Sequence, residues 1–453
     1  MTTPPSLQRP RGIVVFSGGS AANSLVDVFC NVAEEQQCTL SYVMPISDNG
    51  GSSSELIRVF GGPGIGDIRS RLVRLIPSSP DPEPTAIKAL FNYRLPPHSA
   101  SARSEWLDIV EARHALWTHI SPEKLELIRS FLNLLNLEIV KRARPTSVFD
   151  FAGASIGNLF LTGARLFLGS LASAIYLFTS ITRTPEGISV LPALNTNFTH
   201  HIAAGLVDDS PPIIGQNAIS HPSAPTSLPS LADVDATEDA NPPGSHPHLR
   251  RSALAFSKAD QDALTARIQR VWYINPYGAE IRLSASPAVV SALGQARAVI
   301  YSIGSLYTSL APTLILRHVG EALATGPARY KILLLNATID RETGPPGDPM
   351  GAVEFVEAVV RAAAYSRGLE TEVPRSEWAA YVTHVVYLDG EGAPVVDRAE
   401  LAKWGVEAVR CYGRNEGGML RFDGRGLEQV LTAIMGKGEG GSGRMARRFT
   451  LGQ

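Results

Sequence analysis

The chain has 453 residues with 44% hydrophobic content, enough for a substantial core, and a length that suits two or three domains or one large α/β domain with insertions. A formal net charge of −2 excludes a nucleic-acid footprint in the overall balance. The three cysteines, Cys30, Cys38 and Cys411, are too scattered for a disulfide framework or zinc site and fit a reducing cytoplasm.

The start, "MTTPPSLQRPRG", is polar and proline-rich and lacks the apolar core of a secretory signal. "GIVVFSGG" (12–19) is a β-branched run ending in glycines, as a buried parallel strand would be. "SAANSLVDVFCNVAEE" has helical spacing, with Leu25, Val28, Phe29 and Val32 on one face, and "TLSYVMPISD" (39–48) is the next strand. Together they form a β-α-β unit. Residues 80–147 read as a helical insertion with two amphipathic helices, "SEWLDIVEARHALWTHI" and "PEKLELIRSFLNLLNLEIVKRA", whose Trp106 and Trp117 belong to the core. "LFLTGARLFLGSLASAIYLF" (159–178) has the length of a membrane span, but Arg165 and its small residues favour a buried helix pair, so no membrane is expected. "GISVLPALNTNFTHHIAAGL" (187–206) reads as a β excursion on the surface, with His200 and His201 as ordinary β-surface residues. Residues 221–250, rich in proline, serine and acids, predict a flexible insertion.

Alternation then resumes with the strands "RIQRVWYIN", "ARAVIYSI", "YKILLLNAT", "YVTHVVYLD" and "VEAVRCYG". Between and after them lie the helices "LYTSLAPTLILRHVGEAL", "GAVEFVEAVVRAAAYSR" and "GLEQVLTAIM". Such alternation predicts a Rossmann-like, doubly wound, mostly parallel sheet in a single α/β domain over 11–440, with a mobile tail over 436–453.

In such sheets ligands bind beyond the carboxyl ends of the strands, where strand order reverses. Gly18, Gly19 and Ser20 end the first strand, Asp48, Gly50 and Gly51 the second, and Asn336 a later one. "SIGNLF" (155–160) and "SIGSLY" (302–307) place Asn158 and Ser305 at helix N-termini, where backbone N–H groups and the helix dipole favour an anion. Plain N-capping by Asn158 and Ser305 is the competing reading. The first strand-to-helix turn, "SGGSAAN", is not G-x-G-x-x-G, and no P-loop motif occurs, which leaves a nicotinamide-dependent oxidoreductase without its fingerprint. The loop "PISDNGGSSSELIRVFGGPGIGDIRSRL" (45–72) carries the sharper signal. Its glycines let backbone approach a ligand, and the serines from Ser52 on supply donors. Asp48 and Asp67 can hold Mg²⁺ or accept a proton, and Arg69 offers a fork for phosphate. Asp67 as a cap of "IRSRLVRLI" and Asp48 as a turn cap are the alternatives.

"VVFSGGSAANSL", "ISDNGGSSSELIRVFGGPGIGDIRSRLV", "SIGNLFLTGA", "IIGQNAI" and "SIGSLYTSLAPTLIL" resemble, in order, the motifs of the 2-phospho-L-lactate transferase (CofD) family, and more closely its gluconeogenesis-factor branch. The resemblance covers roughly 11–75, 150–220 and 265–340. It implies a nucleotide-diphosphate site and Mg²⁺-assisted phosphoryl transfer. In that transfer a deazaflavin-precursor alcohol takes the phospholactyl group of a phospholactyl-guanosine diphosphate and GMP leaves. The gluconeogenesis-factor branch implies instead a non-catalytic binder of nucleotide sugars such as UDP-glucose that regulates carbon metabolism. Relatives also imply a homodimer. Position by position, Gly18, Gly19, Ser20 and Asn23 match the first phosphate turn, and Asp48 matches the acid at the metal or acceptor hydroxyl. Asp67 and Arg69 match "G-D-x-R", and Asn158 matches "G-N-L". Gly304, Ser305, Tyr307, Thr308 and Ser309 match the nucleotide-side turn, with Tyr307 placed to contact base or sugar. This sequence departs from the pattern at Asn49, where a second aspartate is expected, at Ser54 for glycine, at Ser302-Ile303 for "G-P", and at Ser20-Ala21 for "T-G".

Overall fold

The computed structural model describes residues 12–18, 21–47, 52–144, 147–220, 263–369 and 371–436. Of the expected features, Asp48, Gly19, Ser20, Gly50, Gly51, the 221–250 insertion and the tail beyond Gly436 lie outside the described residues.

Seven strands make one parallel sheet: β1 (Gly12–Phe16), β2 (Thr39–Met44), β3 (Ile188–Pro192), then, after four strands placed elsewhere, β8 (Ala296–Tyr301), β9 (Tyr330–Leu334), β10 (His384–Tyr387) and β11 (Glu407–Arg410). Their spatial order is β11-β10-β9-β8-β1-β2-β3, every neighbouring pair parallel. All five residues of β1 are buried, as the apolar, β-branched run "GIVVF" requires of a strand covered on both faces. The chain runs outward from β1 through β2 to β3 and, later, outward the other way from β8 to β11. Strand order therefore reverses between β1 and β8.

Helix α1 (Val26–Glu35) buries Val28, Phe29 and Val32 on the face expected from their spacing, together with Leu25 just before it. Helix α2 (Ser52–Phe60) and helix α3 (Gly66–Arg74) follow β2. The insertion holds three long helices rather than two: α4 (Pro82–Asn92), α5 (Ser99–Val110) and α6 (Pro122–Arg142). Asp81, followed by proline, caps α4 through a hydrogen bond from the Glu83 N–H, a start signal hidden inside the proline-rich stretch "SPDPEP". Trp106 and Trp117 are buried, as expected. The apolar stretch 159–178 is a helix pair, α7 (Ile156–Leu168) and α8 (Leu171–Thr182), broken by Gly169 in the left-handed region. No helix of the described residues is long and apolar enough to cross a membrane.

Two expectations change. The 187–206 stretch is divided: β3 is the edge strand of the main sheet. By contrast, β4 (His201–Leu206) pairs antiparallel with β5 (Ile213–Ile214) and β6 (Ile268–Ile274), and β6 with β7 (Glu280–Ile281). The strand around "RIQRVWYIN" thus belongs to a second, four-stranded sheet. Apolar runs announce strands but not the sheet they join. His201 is buried rather than on the surface, and burial lowers its pKa to about 4. A hairpin, β12 (Gly413–Glu416) and β13 (Met419–Phe422), completes the strands.

Candidate functional site

At the reversal point the turns after β1 and β8 meet. Gly304 has φ +142°, and a Cβ there would lie 3.2 Å from the Gly18 carbonyl oxygen. A Cβ on Gly18 would lie 2.8 Å from Ser309 Cβ. Only glycine permits either approach. Asn336, just past β9, clasps the second turn. Its Nδ2 donates to the Gly304 carbonyl at 2.9 Å, and its Oδ1 accepts from the Gly304 N–H at 3.0 Å. After Ser305 comes a π-helical turn, Leu306–Leu310, and then a short helix, Ala311–Leu314. Pro312 has no N–H for an ordinary α bond here, and the expected long helix ends early, with His318 left-handed before Val319–Thr325. Tyr307 points its ring away from the reversal point. Its hydroxyl donates to the Ile268 carbonyl at 3.0 Å, and its ring lines a cavity of about 400 Å³ between β6 and the helix Ala352–Arg367.

Helix α3 supplies the positive charge. It begins one residue before Asp67, so this half-buried acid lies in the first helical turn, where the dipole favours it, rather than at the cap. Asn23 Nδ2 donates to Ser70 Oγ at 2.7 Å and ties the first turn to α3. The Arg71 side chain is fully buried. Its Nη2 donates to Ser17 Oγ at 2.7 Å, and its guanidinium lies over the Tyr42 ring. Arg69 is also buried, and its Nε and Nη1 reach Asn158 Oδ1 at 3.3 Å and Asn92 Oδ1 at 3.4 Å. Burial pushes the Arg69 pKa down to about 10 and lowers that of Arg71, while Asp67 opposes both shifts. Among the described residues no carboxylate forms an ion pair with either guanidinium.

Asn158 lies in the first turn of α7 and does not cap it. Ser155 holds the cap position, yet its buried Oγ has no partner. Arg165, farther along α7 and buried, donates to the Gly61 carbonyl at 2.9 Å at the end of α2. Asn23 Oδ1, Arg71 Nε, Ser155 Oγ and Ser302 Oγ are buried polar atoms without a hydrogen-bond partner among the described residues. Three of these belong to the turns after β1 and β8 and to the arginine beside Ser17. Such orphans need a polar partner.

Of the expected residues, the structure thus brings Gly18, Gly304, Ser305, Thr308 and Ser309 together at the reversal point. It links Asn23 to α3 and Arg69 to Asn158. Ser52 opens α2. Just past β2, a Cβ on Gly18 would lie 3.0 Å from Pro45 Cγ, Ser47 Oγ donates to Gln216 Oε1 at 3.1 Å, and the Gly64 N–H bonds the Ile46 carbonyl at 2.8 Å. Arg71 and Glu342 were not expected. Arg71 had a readable signal, since it falls in the buried stripe Ile68, Arg71, Leu72, Leu75, where a charge is out of place. Glu342 had none, for it is one of three acids, with Asp340 and Asp348, in a polar loop. Among the described residues, no three His, Cys, Asp or Glu side chains group as a metal cage. A Mg²⁺ bound through one carboxylate and a ligand's phosphates requires no such cage.

The sequence profile described as 2-phospho-L-lactate transferase CofD matches residues 13–409. The chain is 39% identical to the Saccharomyces cerevisiae protein named "Uncharacterized protein YNL011C", an alignment that covers 93% of this chain and 99% of the yeast protein. Among solved structures, protein BH3568 of Bacillus halodurans superposes with a TM-score of 0.60 at 16% identity, covering 93% of this chain and 99% of its own. A second structure of BH3568, described as a member of the UPF0052 family, gives 0.59 at 18% identity, covering 95% of this chain and 100% of its own. At these identities the likeness to BH3568 is one of fold. The profile spans most of the sheet and both glycine turns, and the chain belongs to the CofD family.

Proposed function

We propose that the crevice between β1 and β8 binds a nucleoside-diphosphate compound and that the chain carries out phosphoryl-group transfer of the CofD type. The observation that supports this reading is the pair of buried guanidiniums, Arg69 and Arg71, without a carboxylate partner among the described residues. A buried, unpaired charge is costly and persists where an opposite charge is to be bound. The Gly18 turn and Asn23 would hold the phosphates beside Arg71. In the transfer, an acceptor alcohol forms a new O–P bond while the bond from phosphorus to the nucleoside phosphate oxygen breaks. Asp48 takes the alcohol's proton, and the nucleoside monophosphate leaves with its charge balanced by the arginines. Alternatively, Asp48 would hold Mg²⁺, which would supply further charge neutralisation to the diphosphate.

Asn49 favours a second reading, because it removes one carboxylate from the position where the family pattern has two. In that reading the same crevice binds a nucleotide sugar without turnover and serves to regulate carbon metabolism.

Calorimetry on the full chain with GDP, UDP-glucose and GMP, each with Mg²⁺ or chelator, tests both. A diphosphate should bind at least tenfold more tightly than GMP, a gap of about 1.4 kcal/mol. Arg71→Met should remove most of that gap without lowering the melting temperature, since an apolar chain suits the buried site better than an unpaired charge. Equal binding of GDP and GMP, or an unchanged affinity in Arg71→Met, would sink the proposal. Chelator sensitivity favours transfer, and tight, chelator-indifferent UDP-glucose binding favours the second reading.

A further inference from the structure

Glu342 lies in a one-turn helix, Arg341–Thr343, beyond the end of β9, and is buried. Its Oε2 accepts from the backbone N–H groups of Tyr307 at 2.9 Å and Thr308 at 3.0 Å. Its Oε1 accepts from Thr308 Oγ1 at 2.6 Å and from Ser220 Oγ at 2.9 Å. Two backbone amides just after a glycine turn, at the carboxyl end of a strand, are the donors that a ligand phosphate commonly takes. In this chain its own carboxylate holds them.

We propose that Glu342 is a positioning residue: an internal anion that fixes the Gly304–Thr308 turn against Gly18 and leaves a ligand's phosphates to the Gly18 and Arg71 side of the crevice. This rests on the reading of the crevice as a diphosphate site. The geometry carries it. Two of the four donors are backbone N–H groups, which can only donate, so an acceptor oxygen must face them. The other two are hydroxyls, which can turn round and accept. A glutamine therefore fits with its carbonyl towards the amides and its NH₂ towards Thr308 and Ser220. An alanine leaves the two amides and the turn without a partner, at the place where Gly304, with φ +142°, lies against the Gly18 carbonyl.

That asymmetry separates positioning from direct contact. Glu342→Gln should bind GDP or UDP-glucose within about threefold of the parent, since the hydrogen-bond geometry survives and a negative charge near the phosphates is gone. Glu342→Ala should bind at least tenfold more weakly, and millimolar formate, which restores a carboxylate to the hole, should recover most of the loss. Comparable weakening in both variants would overturn the proposal in favour of a direct contact to ligand or metal, and undiminished binding in Glu342→Ala would overturn it outright. Hydrogen exchange gives a readout that needs no nucleotide. The Tyr307 and Thr308 amides should be protected in the parent, exchange faster in Glu342→Ala and slow again with formate. Protection unchanged in Glu342→Ala refutes the pinning even if no nucleoside diphosphate binds. Intact pinning with no diphosphate binding means that only the reading of the crevice has failed.

Discussion

Buried ionisable groups give single residues opposite effects on stability. His201 is held near a pKa of about 4 by burial, with His200 adding to the shift, against an ordinary value of 6.5. Its folded form refuses a proton that the unfolded chain accepts. The stability it contributes is present above pH 6.5 and is lost as pH falls from there towards 4. For Glu342, burial and the neighbouring Asp340 carboxylate push the pKa up to about 7 from 4.5. Its contribution is present below pH 4.5 and is lost as pH rises through 7, the opposite slope. Between pH 7 and 5 the two oppose each other, each worth at most about 1.4 kcal/mol per pH unit. Glu342→Gln should therefore steepen the loss of stability on going from pH 7 to 5, and His201→Phe should flatten it. Urea midpoints at the two pH values measure both. If Glu342→Gln leaves the pH 7 to 5 difference unchanged, the carboxyl is not titrating as its burial requires. Neither residue was legible in the sequence as buried. His201 sits in a polar-looking "NTNFTHH" run, and it is the pairing of β4 with β6 that covers it.

At the scale of one element, α7 shows how a single helix serves both packing and site. A Cβ on Gly163 would lie 2.4 Å from the Phe131 carbonyl oxygen, so this glycine lets α6 and α7 approach backbone to backbone. A Cβ on Gly157 would lie 2.8 Å from Arg69 Cγ and 2.6 Å from the Phe91 carbonyl oxygen, so that glycine makes room for the arginine. Gly163→Ala should cost about 1–3 kcal/mol of stability through overpacking while leaving diphosphate affinity of the folded protein intact. Gly157→Ala should cost stability too, and also displace Arg69 and weaken diphosphate binding several-fold. Thermal melts with calorimetry on both variants decide this. Equal loss of affinity in the two would mean that α7 acts on the site only through overall packing. The pattern "SIGNL" was readable as a helix start with a polar residue facing a ligand. That Asn158 orients an arginine was not, because Arg69 lies 89 positions away and only the fold joins them.

For the whole molecule, the reversal of strand order makes the candidate site a seam between two stretches of chain. One holds β1 to β3, and the other runs from β8 to β11. The parallel strands were legible because runs such as "GIVVF" and the "ILLL" of Ile332–Leu335 are apolar without alternation, as strands covered on both faces are. The second sheet was not, because its central pairing, β4 with β6, joins distant stretches such as Ile202 and Tyr273 and leaves no periodic trace. Gly18 packed on Ser309 and Gly304 on the Gly18 carbonyl are the stitches across the seam. A ligand that occupies it touches both stretches and should stabilise them together. With GDP or UDP-glucose at a hundred times its dissociation constant, the gain in unfolding free energy should be about 2.7 kcal/mol. Hydrogen exchange should then slow in two separate segments, the turn with helix start at 17–26 and the turn at 302–310. A ligand confined to the first turn would protect only 17–26. It would show that the second turn, pinned by Glu342, is scaffold and not a wall of the site.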